Sequence, residues 1–85
     1  MMNSEQVQTL LEAGIDGAQV HVQGGDGRFD IGVVAAAFEG LNRVRRQQLV
    51  YGSINAHIAD GSIHAVNIVT YTPEEWDKAQ RMGLA

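Results

Sequence analysis

The stretch from Phe38 to Trp76 constrains the fold most, because it predicts a helix, a tight turn, a strand and a second helix in immediate succession. We predict Asn42 as the N-cap of the main helix, which runs to about Ala59 and ends at Asp60-Gly61. Gly52 inside this helix indicates a kink or a close packing contact. Apolar residues at helical spacing predict a core-facing stripe: Val44, Val50, Tyr51, Ile54 and Ile58.

The residues after this helix predict a strand and a capped helix. Residues 63–71 form the third strand, with Val66 and Ile68 predicted to point inward. A strand–helix–strand connection favours parallel pairing of the two strands that it joins. Residues 72–75, Thr-Pro-Glu-Glu, combine an N-cap, a first-turn proline and a capping box. We expect Trp76 of this final helix to face inward.

The segments before Phe38 predict one helix and one hairpin. Asn3 and Ser4 are alternative N-caps for a helix that Gly14 is expected to stop through a positive φ angle. Apolar and polar residues then alternate over residues 18–23 and again over 28–34. The Gly-Gly-Asp-Gly run between them predicts the turn of an antiparallel hairpin with one polar face.

The predicted order is α-β-β-α-β-α. Helices packed on a three-stranded mixed sheet give an α+β two-layer fold. Eighty-five residues fit a single domain, residues 1–85. The first residues do not have the pattern of a signal peptide, and no apolar stretch has the length of a membrane span. We therefore expect a cytoplasmic protein without a membrane partner.

Charge and residue usage exclude several functions. The chain has no Cys, which excludes disulfides, thiolate metal sites and a cysteine nucleophile. Ten acidic and six basic residues give a net charge of −4, which argues against a dedicated nucleic-acid binder. Arg43, Arg45 and Arg46 nevertheless cluster in the main helix. They are either a solvated face or a patch that binds phosphates.

Histidine is the residue type best suited to chemistry in this chain. His64 stands at the start of the third strand, where an exposed imidazole could bind a metal ion or act as an acid or base. The alternative is a solvated strand-end histidine. His21 and His57 do not have the short spacing to His64 that is typical of zinc sites. The chain contains no arrangement that predicts a catalytic site, so we expect a protein that is not an enzyme.

Four motifs in the same order resemble the BolA family: FEGL at residues 38–41, RQQLVY at 46–51, IHAV at 63–66 and YTPEEW at 71–76. Within that family the chain is most similar to the small bacterial IbaG (YrbA) branch. The resemblance covers nearly the whole chain and implies a class II KH-like fold, in agreement with the order derived above.

The resemblance also implies a role without catalysis in iron–sulfur metabolism. Members act with a CGFS-type monothiol glutaredoxin and share a [2Fe–2S] cluster with its cysteine and a glutathione thiol. His64 matches the histidine of the family's IHA motif, so the ligand role carries over to His64. An imidazole can replace a thiolate on one iron, as in Rieske-type centres.

The chain departs from the family pattern in the loop between the first two strands. Many members carry a second ligand, Cys or His, in this loop, whereas this chain has Arg28 at about that position. His21, Asp26 or no second ligand are the alternatives.

Some family members are described as DNA-binding regulators of stress response and cell morphology. That makes the cluster from Arg43 to Arg46 an alternative site, although no KH-type GxxG loop is present. The sequence leaves a homodimer open.

Overall fold

The predicted element order is confirmed by a computed structural model, which describes residues 2–83. Within that range, no helix is both long and apolar enough to cross a membrane. The elements are α1 (Ser4–Gly14), β1 (Gln19–Gly25), β2 (Arg28–Val34), a 3-10 turn (Ala36–Phe38), α2 (Arg43–Ala59), β3 (Ala65–Tyr71) and α3 (Pro73–Arg81).

The three strands form one mixed sheet in the order β1-β2-β3. β1 pairs antiparallel with β2, and β2 pairs parallel with β3, as the two kinds of connection predict. In register, His21 lies opposite Gly32 and Gly32 lies opposite Val69. The sheet therefore has β2 at its centre and leaves β1 and β3 as edge strands.

One face of the sheet carries the core. Its alternate residues point toward α1 and α2, and the inward direction predicted for Val66 and Ile68 of β3 is confirmed. Side chains from both helices and the 3-10 turn complete a single cluster of buried residues, which includes Val7, Leu11, Val20, Phe29, Ile31, Val33, Phe38, Val50 and Ile54. This packing gives the domain its two layers.

The stripe predicted for α2 is wrong at Val44, which is 64% exposed. Val44 lies in the first turn of the helix and at one edge of the apolar arc. The buried residues of α2, Val50 and Ile54, begin about two turns later. Gln47 lies nearer the middle of the arc, and its Nε2 donates to the backbone oxygen of Ile68 at 3.1 Å. The start of the helix therefore lies beside β3 and outside the core.

The roles predicted for two glycines are also corrected. Gly14 does not have a positive φ angle; the chain turns instead at Gly17, with φ +67°. A Cβ built on Gly14 would lie 2.1 Å from Oγ and 2.8 Å from Cβ of Ser53. Gly14 is therefore the close contact between α1 and α2. Gly52, to which the sequence assigned such a contact, is exposed and has no atom within 4 Å of a built Cβ.

The capping predictions are confirmed. Asn3 caps α1 in a reciprocal capping box with Gln6, Asn42 caps α2, and Thr72 and Glu75 form a second capping box at α3. In each case a side-chain oxygen accepts a backbone N–H that has no partner within the first helical turn.

The inward direction predicted for Trp76 needs correction. None of the described side chains of α3 is buried. The indole of Trp76 packs edge-on against Tyr71, with ring centroids 5.2 Å apart, and stacks on His21 at 6.4 Å. His21 and Tyr71 belong to the sheet face opposite the core. The final helix therefore follows the end of β3 and covers part of the outer face.

Candidate functional site

His64 lies directly before β3, and its side chain is exposed. Its backbone N–H donates to the carbonyl oxygen of Gly27 at 2.6 Å, and the N–H of Ala65 donates to the same oxygen at 3.1 Å. Within residues 2–83, the imidazole itself makes no hydrogen bond. The backbone of His64 is thus fixed, while both ring nitrogens face solvent or a partner.

The turn before His64 fixes the approach of the chain. The Asp60 carboxylate accepts the backbone N–H of Ser62 at 2.8 Å, and the Ile63 N–H donates to the carbonyl oxygen of His57. Hydrogen bonds from the side chain and the backbone of Ser62 lower the pKa of Asp60. Ile63 is buried and anchors the segment. His64 therefore follows directly after a residue that the core holds in place.

The hairpin turn between β1 and β2 meets His64 on its other side. Asp26 and Gly27 both have positive φ angles, 54° and 80°, as in the tight turns that join antiparallel strands. A Cβ built on Gly27 would lie only 2.7 Å from Cδ2 of His64. The imidazole thus rests against the one residue of the turn that has no side chain. The sequence predicted this turn but gave no indication of its contact with His64.

The described residues supply one clear ligand position at this site. The chain contains no Cys, and within residues 2–83 no three side chains of His, Asp or Glu come close enough together to hold a metal ion. The His64 imidazole is a nitrogen donor with an open approach, so it fits one coordination position of a cluster whose other ligands come from elsewhere. Asp26 is exposed on the turn that contacts His64.

His21 is not brought near His64. It lies opposite Gly32, which lies opposite Val69, five residues beyond His64 along β3. At about 3.3 Å per residue, this places the two histidines roughly 16 Å apart along the strand direction. The ring of His21 also stacks on Trp76. This geometry counts against a shared ligand role within one chain, so Asp26 and no second ligand are the alternatives that it favours.

The three arginines of α2 do not form one patch. Nη1 of Arg46 lies 2.6 Å from Oε1 of Glu75, and its Nε donates to the carbonyl oxygen of Leu41 at 2.9 Å. This guanidinium, with the backbone N–H of Thr72 as second cause, lowers the pKa of Glu75. Arg46 therefore joins α2 to α3. Arg43 and Arg45 remain exposed.

Comparison with known proteins assigns the family. The family of BolA-like proteins matches residues 7–75, so this chain belongs to the BolA-like family. An uncharacterized protein from the rpoN-murA intergenic region of Acinetobacter guillouiae is 48% identical, with 96% of this chain and 99% of the relative covered. The acid stress protein IbaG of Escherichia coli is 38% identical, with 96% and 98% covered.

A more distant relative and a solved structure complete the comparison. The DNA-binding transcriptional regulator BolA of Haemophilus influenzae is 38% identical, with 68% of this chain and 54% of the relative covered. The structure of a bolA protein homologue from Coxiella burnetii superposes with a TM-score of 0.81 at 29% identity, covering 91% of this chain and 99% of that one. The predicted fold class is thus confirmed by an independent structure.

Proposed function

We propose that this chain is a cytoplasmic partner, without catalytic activity of its own, of a CGFS-type monothiol glutaredoxin, and that it supplies the His64 imidazole to a [2Fe–2S] cluster. The glutaredoxin cysteine and a glutathione thiol supply the remaining ligands. Such a cluster provides iron sites that accept thiolate and imidazole ligands and single electrons. The role is cluster binding, trafficking or iron sensing.

The observation that supports this proposal is the combination of a fixed backbone and an open side chain at His64. Two backbone N–H groups hold the segment on the Gly27 carbonyl oxygen, while the imidazole is exposed. A ligand offered to another molecule needs both properties, because a mobile residue would lose more conformational entropy on binding.

The test uses a glutaredoxin loaded with its cluster in the presence of glutathione. Adding this chain should change the visible absorbance and circular dichroism, and pulsed electron paramagnetic resonance of the reduced cluster should show a coupled imidazole nitrogen. His64→Ala should abolish both changes. His21→Ala is the matched control, because His21 lies on the outer face of the sheet. Unchanged spectra with His64→Ala would refute the ligand role.

Binding of the apo glutaredoxin separates ligation from docking. Calorimetry without cluster should give nearly equal affinities for the parent chain and His64→Ala, because the imidazole is not needed for contact between the proteins. Cluster-loaded glutaredoxin should bind the parent chain more tightly than the variant. If both chains bind both forms of glutaredoxin equally, the chain is an interaction module that needs no metal.

DNA binding is the second function that we propose to test, since a relative is a DNA-binding transcriptional regulator. Arg43 and Arg45 are exposed, whereas Arg46 is paired with Glu75. The salt dependence of affinity for duplex DNA should therefore become shallower in Arg43→Gln and Arg45→Gln. An unchanged slope in both variants would eliminate these two residues as phosphate contacts.

A further inference from the structure

The outer edge of β3 is open. β3 pairs only with β2, and its seven residues include no proline and no charged side chain, the usual means by which edge strands avoid further pairing. The carbonyl oxygen of Tyr71 accepts the N–H of Ala35, the residue that continues β2, whereas that of Ile68 points to the opposite side and accepts from Gln47. Because backbone direction alternates along a strand, Ile68 and Thr70 direct their N–H and C=O groups outward.

A groove runs along this edge. It has a volume of about 580 Å³ and lies between β3 and the start of α2. Leu41, Arg43 and Gln47 line one side, and the stretch from Ile68 to Tyr71 lines the other. Within residues 2–83, the backbone N–H groups of Ile68 and Thr70 have no partner across this groove. The groove therefore exposes strand hydrogen-bonding groups beside a helix terminus.

The charge beside the groove is positive at one end. The first turn of α2 contains Arg43, Arg45 and Arg46 and no acidic residue. Arg46 is neutralised by Glu75 at 2.6 Å, whereas Arg43 lines the groove and has no ion-pair partner among the described residues. The positive end of the helix dipole adds to this charge. One carboxylate seated near Arg43 would be favoured.

We propose that the edge of β3 binds an extended, acidic peptide segment of a partner protein as a fourth strand. The guest backbone would pair with the outward N–H and C=O groups of Ile68 and Thr70, and a guest carboxylate would lie beside Arg43. This inference does not depend on His64, which precedes β3 at the opposite end of the strand from Thr70.

The observations favour a peptide over nucleic acid. Alternating outward donors and acceptors on a strand match another peptide backbone, whereas a phosphate chain offers only acceptors. The groove includes Glu75, and the whole chain carries a net charge of −4, which disfavours a polyanion. A second copy of this chain would bring two Arg43-lined grooves together without a carboxylate for each, apart from the Glu75 that Arg46 already holds.

The probe is an acetylated and amidated heptapeptide of sequence TVEVEVT, added to the full-length, isotope-labelled chain. Nuclear magnetic resonance should show shifts at the amides of Ile68 and Thr70 and slower hydrogen exchange at both. The matched peptide TVKVKVT should bind about fivefold more weakly, the difference expected for one exposed ion pair. TVEVEVT with N-methyl groups on alternate backbone nitrogens should not protect these amides.

Two variants test the two halves of the proposal. Arg43→Gln should remove the preference for TVEVEVT over TVKVKVT and leave the protection of Ile68 and Thr70 in place. Thr70→Pro should abolish binding, because an edge proline removes an outward N–H. Gln47→Ala frees the Ile68 carbonyl oxygen and should tighten binding severalfold, which tests the edge even if Thr70→Pro does not fold.

Three outcomes would overturn the proposal. Absence of amide shifts with TVEVEVT at about millimolar concentration would show that the edge does not accept a strand. Equal shifts by oligo(dT) with none by the peptide would assign the groove to single-stranded nucleic acid. Concentration-dependent shifts of Ile68 and Thr70 without any peptide would assign the edge to a second copy of this chain.

Discussion

Gly27 lies so close to the imidazole of His64 that an added Cβ would be 2.7 Å from Cδ2 and 3.1 Å from Cγ. With φ at +80°, Gly27 also occupies a conformation that costs an alanine about 1–2 kcal/mol. We predict that Gly27→Ala lowers the free energy of unfolding by about 2 kcal/mol and displaces the His64 ring. Urea denaturation and the ring resonances of His64 measure the two effects.

Gly25→Ala is the control for this prediction. Gly25 belongs to the same hairpin, but its built Cβ has no atom within 4 Å and its φ is not positive. Its stability and the His64 resonances should change little. If Gly25→Ala moved the His64 resonances as much as Gly27→Ala, the effect would come from the hairpin as a whole and not from contact with the ring.

Gly14 and Ser53 provide the second prediction, at the contact between α1 and α2. Alanine normally favours a helix over glycine by about 1 kcal/mol, but here its methyl group would overlap the Ser53 side chain. Gly14→Ala should therefore destabilise the domain by about 1–2 kcal/mol. In a Ser53→Gly background the same change should become neutral or stabilising. A coupling energy below about 0.5 kcal/mol in this double-mutant cycle would contradict the contact.

Gly52 should behave in the opposite way. It lies inside α2 on an exposed surface, with nothing near a built Cβ. Gly52→Ala should therefore raise the free energy of unfolding by about 0.5–1 kcal/mol, because alanine loses less backbone entropy in a helix. Thermal and urea denaturation would both report this gain. A loss of stability would mean that the open space on this side of α2 is filled in solution.

These two glycines show where sequence reasoning reaches its limit. Capping residues and alternation are local, so the element order, the caps at Asn3, Asn42 and Thr72 and the inner face of the sheet could all be predicted. The contact of Gly14 with Ser53 depends on how two distant helices cross, and no periodicity within either helix encodes that distance. The same reason hid Val44, which has the right spacing but lies beyond the core.

The candidate site divides along the same line. The position of His64 at the strand start follows from the turn before it and was predicted. Its contact with Gly27 and the diversion of Arg46 to Glu75 join residues from different elements, 37 and 29 positions apart in sequence. Only the parallel register of β2 with β3 brings the hairpin turn to His64.

The ion pair of Arg46 with Glu75 gives a prediction for the dependence of stability on pH. The hydrogen bond from Arg46, followed by that from the Thr72 backbone, lowers the pKa of Glu75 below its ordinary value of 4.5. Its contribution to stability is therefore fully present above about pH 4.5 and is lost as the pH falls through the lowered folded-state pKa. Because half of the Glu75 side chain is exposed, the contribution should stay below about 1 kcal/mol.

Glu75→Gln tests this linkage, since glutamine can still close the capping box with Thr72 but cannot ionise. The variant should be less stable than the parent chain at pH 6–7, and the difference between them should shrink between about pH 4.5 and pH 3. Urea midpoints measured across that range check the sign. Glu74→Gln removes a carboxylate from the same helical turn without touching Arg46 and should show a smaller difference at neutral pH. A gap between Glu75→Gln and the parent chain that widens on acidification would mean that the carboxylate is not held by Arg46 in solution.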